Sequence, residues 1–261
     1  MTVKFYKYQG TGNDFIMIDN RAESLSRHDK DLVVRLCHRR FGIGADGLIM
    51  LQNLPGYDFE MVYFNSDGSQ SMCGNGGRCA VQFAHYLGAV GNTCKFMAID
   101  GEHEAHILPD GNVSLKMKDV ETIKNYNNDF VINTGSPHYV SFVNGVEQYP
   151  VVNDAKAIRY NDIFKAEGIN VNFVEKLNDR DIYVRTYERG VEDETYACGT
   201  GVTAVAMAMA KKQNQVGKIE TPIKVLGGDL QINFNYDGQK FTDVFLCGPA
   251  ERVFVGEIDQ L

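Results

Sequence analysis

Met72-Cys73-Gly74-Asn75-Gly76-Gly77-Arg78 sets a cysteine at a glycine-rich turn, and the run behind it, Cys79 to Leu87, reads as a helix. Almost half the chain later, Tyr196-Ala197-Cys198-Gly199-Thr200-Gly201 repeats the pattern C-G-polar-G ahead of a second helical run, Val202 to Ala210. Two copies at this spacing predict two similar domains, each placing a cysteine at a helix N-terminus. The second helix is apolar on every side, and such a helix is buried all round. A sheet curled about it would bury it. The expected fold is therefore α+β: two pseudo-symmetric domains, each a strongly curved, mostly antiparallel and barrel-like β-sheet wrapped around a central α-helix.

Working outward, alternation of apolar and polar residues predicts strands at 2–8, 14–19, 57–64, 93–99, 103–108 and 112–117 in the first half. Strands are expected at 130–134, from there through Val143, at 170–176, at 181–187 and within 217–247 in the second, with a last short one at Arg252–Val255. An amphipathic helix is expected at Asp29–Arg39 and a short helix around Asp154–Tyr160. The polar segment Lys118–Asp129 is the expected domain boundary. Gly42-Ile43-Gly44-Ala45-Asp46-Gly47 spells G-x-G-x-x-G, but a helix precedes it and a strand follows. A dinucleotide site needs the reverse order, so none is expected here.

The chain has 261 residues, 44% hydrophobic and 23% charged, as soluble globular proteins do. A formal net charge of −8 without a basic run argues against nucleic acid as partner. The longest apolar run, Val202 to Ala210, falls well short of the roughly 20 residues that span a bilayer, so no membrane partner is expected. The N-terminus lacks the apolar core of a signal peptide, and the expected compartment is the cytoplasm. Six scattered cysteines make no disulfide scaffold, and without a C-x-x-C pair no metal site is expected. Most of these thiols should be buried packing residues, Cys79 among them.

Cysteine at both repeat positions is what a duplicated turn alone does not require. A helix N-terminus favours an anion and lowers a thiol's pKa. Two such ends could hold a small carboxylate, with one sulfur on either side of the adjacent carbon. One thiolate would take a proton from that carbon while the opposite thiol delivers another, inverting it. Abstraction beside a carboxylate builds enolate-like charge, which the backbone N–H groups would stabilise. No pyridoxal phosphate lysine or phosphate cradle is evident, so no cofactor is expected. His138, after Gly135-Ser136-Pro137, reads either as a structural histidine or as a proton acceptor beside a thiol. Glu188-Arg189 reads either as a solvated ion pair or as a clamp for an amino acid's charged groups.

The chain resembles the diaminopimelate epimerase family almost end to end. The matching segments are Gly10–Phe15, Phe41–Gly47, Phe64–Gly68, Cys73–Cys79, Gly135–His138, Ile169–Val171, Tyr187–Gly190, Glu194–Gly201 and Gly248–Ala250. The resemblance implies a cofactor-independent epimerase interconverting LL- and meso-diaminopimelate. It implies that Cys73 and Cys198 are the acid/base thiols, assisted in deprotonation by His138 and Glu188. Backbone N–H groups of Gly74, Asn75, Gly199 and Thr200 would hold the reacting carboxylate, and Asn13 would position that end. Asn65, Asn170 and Arg189 would bind the distal carboxylate, and Glu188 the distal amine. The polar boundary gives domains 1–117 and 118–248, and the resemblance further implies that a strand in 249–261 returns to the first. Ser136 stands where many members have Asn, and Gly47 where some have Gln. Both departures bear on substrate recognition. Related racemases of other amino acids share the cysteine pair, and a non-catalytic amino-acid-binding protein could share the fold. A homodimer is compatible with the sequence.

Overall fold

The computed structural model describes residues 2–178 and 181–259. The chain divides into two compact units, one running through Leu115 and resuming at Gly248, the other Lys116–Cys247. In chain order the elements before the first crossing are β1 (Val3–Gly10), β2 (Asn13–Asp19), α1 (Lys30–Cys37), β3 (Gly47–Gln52), β4 (Phe59–Asn65), α2 (Gly74–Tyr86), β5 (Thr93–Ala98), β6 (Gly101–Ile107) and β7 (Val113–Lys116). Then follow β8 (Ile123–Tyr126), β9 (Asp129–Asn133), β10 (Pro137–Phe142), α3 (Val151–Arg159), β11 (Asn170–Lys176), β12 (Ile182–Glu188) and β13 (Asp193–Thr195). The chain ends with α4 (Gly199–Lys212), β14 (Gly217–Val225), β15 (Gly228–Tyr236), β16 (Phe241–Gly248) and β17 (Glu251–Ile258).

The first sheet runs β17-β1-β2-β3-β4-β5-β6-β7. Its successive pairings are antiparallel, antiparallel, parallel, antiparallel, parallel, antiparallel and antiparallel. The second runs β8-β9-β10-β11-β12-β14-β15-β16 and repeats that series pairing for pairing. Parallel neighbours need a crossover. In the first unit the two crossovers hold α1 and α2, and in the second α3 and α4. The eight-strand series is thus duplicated, with β17 taking in the first unit the place of β8 in the second, and the second unit adds the short β13 beside β12. Among the described pairings neither sheet closes into a barrel. In the second unit, the segment before β8 meets β16 through the Met117 N–H on the Val244 carbonyl (2.8 Å) and the isolated bridge Val120–Phe241.

Each sheet curls about its longer helix. α2 packs against β1, β2, β3, β4 and β6, and α4 against β9 to β12, β14 and β15. Val202 to Ala210 are buried without exception, which is why this stretch carries no polar face. Val202, Val205 and Met207 pack among Val140, Val184, Ile232 and Leu246. Each such side chain contributes roughly 1.5–3 kcal/mol by leaving water. Among the described residues no helix is long and apolar enough to cross a membrane.

Two local expectations are corrected. The glycines after Cys73 are not a turn: α2 already begins at Gly74 with Cys73 as N-cap. They are small because the sheet presses on them, and a Cβ on Gly76 would lie 3.2 Å from the Ile49 Cδ1. Lys118–Asp129 is not wholly a linker, since it holds β8, an edge strand that stays polar because half of it faces solvent. Its Ile123 packs on the α4 core.

Candidate functional site

In the first unit, Cys73 sits in extended conformation (φ −130°, ψ 119°) and its carbonyl accepts the Gly77 N–H at 2.8 Å. A helix leaves its first N–H groups without an intrahelical acceptor, so this end presents donors and positive potential. The Cys73 Sγ lies 3.5 Å from Asn13 Oδ1, which also accepts from Asn75 Nδ2 at 3.3 Å. Asn13 Nδ2 donates to Asp46 at 2.7 Å, Asp46 pairs with Arg39 at 2.7 Å, and Arg39 grips Asp14 through two bonds of 3.0 and 2.8 Å. Lys7 completes the chain, pairing with Asp14 at 2.7 Å and donating to the Gly44 carbonyl. Burial opposes ionisation of Asp14, yet the hydrogen bonds from Arg39 and Lys7 outweigh it and hold its carboxyl well below the usual range. Asn13 is therefore oriented by a fixed line of charge.

Arg78 explains how α2 is seated. Its fully buried guanidinium donates to the carbonyls of Gly74 (3.4 Å) and Pro249 (3.3 Å) and to Thr11 Oγ1 (3.2 Å). It thereby ties the first turn of the helix to the β1–β2 turn and to the entry of β17. Asn65 accepts from the Tyr63 hydroxyl at 2.9 Å and donates to Ser69 and Ser71. Tyr63 also fills the space beside Gly47, where a Cβ would lie 2.4 Å from its ring. A residue with a side chain at 47 would displace this tyrosine.

In the second unit, Cys198 caps α4 with the same extended geometry (φ −119°, ψ 109°) and is 8% exposed. Its Sγ lies 3.5 Å from Thr200 Oγ1, which lies 2.8 Å from His138 Nε2. Thr134 donates to the Thr200 carbonyl at 2.8 Å and Thr203 to that of Gly199 at 2.9 Å, locking the first turn. His138 faces Asn170 across the parallel β10–β11 register. Its Nδ1 lies 3.1 Å from Asn172 Nδ2, which also donates to the Tyr139 carbonyl at 3.0 Å. Burial, reinforced by the Arg189 charge, brings the imidazole's pKa down from 6.5 to about 3. It is neutral at any working pH.

Asn170 donates to Ser136 Oγ (2.5 Å) and the Pro137 carbonyl (3.1 Å), and accepts the Arg189 N–H (2.8 Å). Both of its N–H groups are thus spent on shaping the loop. Arg189 anchors one guanidinium nitrogen on the Glu167 carbonyl at 2.8 Å, and Glu188 accepts from Thr195 Oγ1 at 2.6 Å. Gly74, Asn75, Gly199 and Thr200 occupy the two first turns. Within the first unit the structure brings Cys73, Asn13 and Asn75 together. Within the second it brings together Cys198, Thr200, His138, Asn170 and Arg189.

Sequence reasoning missed Asp46, Arg39, Tyr63, Arg78 and Asn172. Asn172 alone left a signal, since Asn170-Val171-Asn172 puts two amides on one face of a strand. The other cysteines differ in kind. Cys79 is fully buried, and burial pushes the Cys37 and Cys94 thiols up to about 12.

Known proteins carry the same pattern. The family model described as diaminopimelate epimerase matches residues 5–123 and 130–253. A diaminopimelate epimerase of Flavobacterium psychrophilum is 51% identical over 97% of this chain and 98% of its own length. One of Aquifex aeolicus is 41% identical over 99% and 98%. Among solved structures, a Bacillus anthracis phenazine biosynthesis protein of the PhzF family superposes with a TM-score of 0.77 at 12% identity, covering 99% of both chains. A hydroxyproline epimerase from Agrobacterium vitis does so at 0.67 and 11% identity, covering 98% and 92%. These distant likenesses show the fold, and the full-length sequence matches show the lineage. The chain belongs to the diaminopimelate epimerase family.

Proposed function

We propose that this chain is an isomerase that interconverts LL- and meso-diaminopimelate by passing protons between two cysteines, without a cofactor, in the cytoplasm. The observation that carries the reading is the duplication itself: in both units a cysteine in extended conformation caps the helix at the core of the sheet. Inversion by two bases needs one sulfur on each side of the α-carbon. Cys73 and Cys198 are assigned that role. The helix ends at Gly74-Asn75 and Gly199-Thr200 would hold the α-carboxylate, where enolate charge develops. A positioned acid or base adds about 10²–10⁴-fold in rate.

The distal end of the substrate is assigned to Arg189 for its carboxylate and Glu188 for its amine. Both side chains are already held, Arg189 by the Glu167 carbonyl and Glu188 by Thr195, so little side-chain freedom is lost on binding. Asn65 and Asn170 act in this reading by orienting neighbours, since their amides are already engaged. Asn13 positions the reacting end beside Cys73. The test is incubation with LL-diaminopimelate in D₂O: meso product with deuterium at one α-carbon supports the reading. No conversion, with conversion of another amino acid in a racemase panel, would replace the substrate. Binding without exchange would reduce the chain to a binding protein.

A further inference from the structure

Glu188 and Arg189, assigned above to the distal end of the substrate, stand where a hairpin turns. β12 and β13 pair antiparallel with Glu188 opposite Asp193, so residues 189–192 form the connection. The Glu192 N–H closes it on the Glu188 carbonyl at 2.8 Å. The large apolar side chain of this loop, Val191, is 59% exposed, so packing does not hold the loop in place. Glu192 itself sits in the left-handed region at φ +58°, where a residue with a Cβ is strained. Such a conformation persists only where its surroundings impose it.

The Glu192 carboxylate imposes it, each oxygen taking two donors. Oε1 accepts the Gly190 N–H at 3.1 Å and Arg159 Nη2 at 3.3 Å. Oε2 accepts the Tyr160 hydroxyl at 2.7 Å and the Tyr187 hydroxyl at 2.9 Å. Tyr187 is the fully buried residue of β12 just ahead of Glu188. Arg159 and Tyr160 are the last residue and the C-cap of α3. One side chain therefore ties the turn to itself, to the strand that enters it and to the end of a helix. Those bonds outweigh burial and keep the carboxylate ionised.

The same helix end bounds the Arg189 side chain. A Cβ on Gly168 (φ +76°) would lie 2.5 Å from Arg189 Cδ and 2.8 Å from Arg159 Cζ, so the stem of one arginine and the guanidinium of the other both rest on this glycine. Two cations share the corner, and Glu192 offsets the charge of Arg159. We propose that Glu192 is a positioning residue for recognition of the distal end: by latching the β12–β13 turn onto the end of α3 it fixes where Glu188 and Arg189 point. This rests on the distal-end assignment under Proposed function and adds to it the device that holds the pair in place. Glu192 acts through those two residues and not by contact with the substrate.

The experiment is steady-state epimerisation of LL-diaminopimelate by the full-length wild type, Glu192→Gln and Tyr160→Phe. Tyr160→Phe deletes one hydroxyl from a ring that is 51% exposed and leaves every charge in place, so it separates the latch from the charge of the carboxylate. KM should rise about threefold in Tyr160→Phe and about tenfold in Glu192→Gln, the scale of one hydrogen bond to a charged group. kcat should stay within about twofold of wild type, because the displaced groups hold ground state and transition state alike. A merely structural role would lower kcat through loss of active protein and leave KM unmoved. If Glu192→Gln does not fold, Tyr160→Phe decides alone. An unchanged KM in Tyr160→Phe, or a fall in kcat without a rise in KM, overturns the inference. A wild type that does not convert diaminopimelate removes the proposed function and this inference with it, whereas a wild type that converts it beside variants of unchanged KM removes the inference only.

Discussion

Acid should weaken this protein through His138. The imidazole is wholly buried and meets an amide donor on Nδ1, and the fold holds its pKa at about 3 against 6.5 in the unfolded chain. Burial is the main cause, with the Arg189 charge adding to it. Between those two values the unfolded chain binds a proton that the folded one refuses, so stability falls as pH falls and is regained above the unfolded value. At 1.36 kcal/mol per pKa unit, going from about pH 7 to about pH 5 removes about 2 kcal/mol through this one group. Urea unfolding of the wild type and of His138→Gln at both pH values checks it. Other titrating groups contribute equally to both proteins and cancel. The wild type should lose about 2 kcal/mol more than the variant over this interval. Equal losses would refute the argument that the fold keeps His138 neutral.

Three further outcomes follow from the same contacts. Asp46→Asn leaves Asn13 able to present either end of its amide to Cys73; loss of one charge-assisted bond of about 1.5–3 kcal/mol should lower kcat by about 10–100-fold, with the folded state retained by circular dichroism. Gly201→Ala places a Cβ 2.5 Å from Asn172 Oδ1, and overpacking there should cost about 1–3 kcal/mol in thermal or urea unfolding and depress activity by moving His138 off Thr200. Burial opposes ionisation of Glu192, but the Tyr160 hydroxyl, the Gly190 N–H and the Tyr187 hydroxyl bring its pKa down from 4.5 to about 2. Stability from this group is present above the unfolded value and is lost as pH falls below it, so acid unfolding of Glu192→Gln should lack that component between about pH 4.5 and about pH 2.

The parts of this fold legible in the sequence are those written in local pattern. Val202 to Ala210 show no polar face because the sheet surrounds them, and the echo of Cys73 at Cys198 reveals the duplication before any contact is known. The Gly74–Gly77 run reads wrongly as a turn, because a glycine chosen for the approach of Ile49 or Met61 looks the same as one chosen for positive φ. Of the supports of the site, only Asn172 left a trace in the sequence, as the second amide of Asn170-Val171-Asn172, and its partner did not show. Asp46 reaches Asn13, and Asn172 reaches His138, through sheet register that joins residues more than thirty positions apart. Asp46 even lies inside the glycine motif that the order of elements set aside, and its use there is to fix an amide.

In the proposed reaction two different thiols serve the two faces of one carbon, and the early fate of the α-hydrogen tests that most directly. In D₂O, before back-reaction accumulates, the inverted product should carry deuterium while unreacted LL-diaminopimelate keeps its hydrogen, because the thiol that delivers is not the one that removes. Inverted product that retains the substrate's own hydrogen would mean a single base working on both faces, and would contradict it.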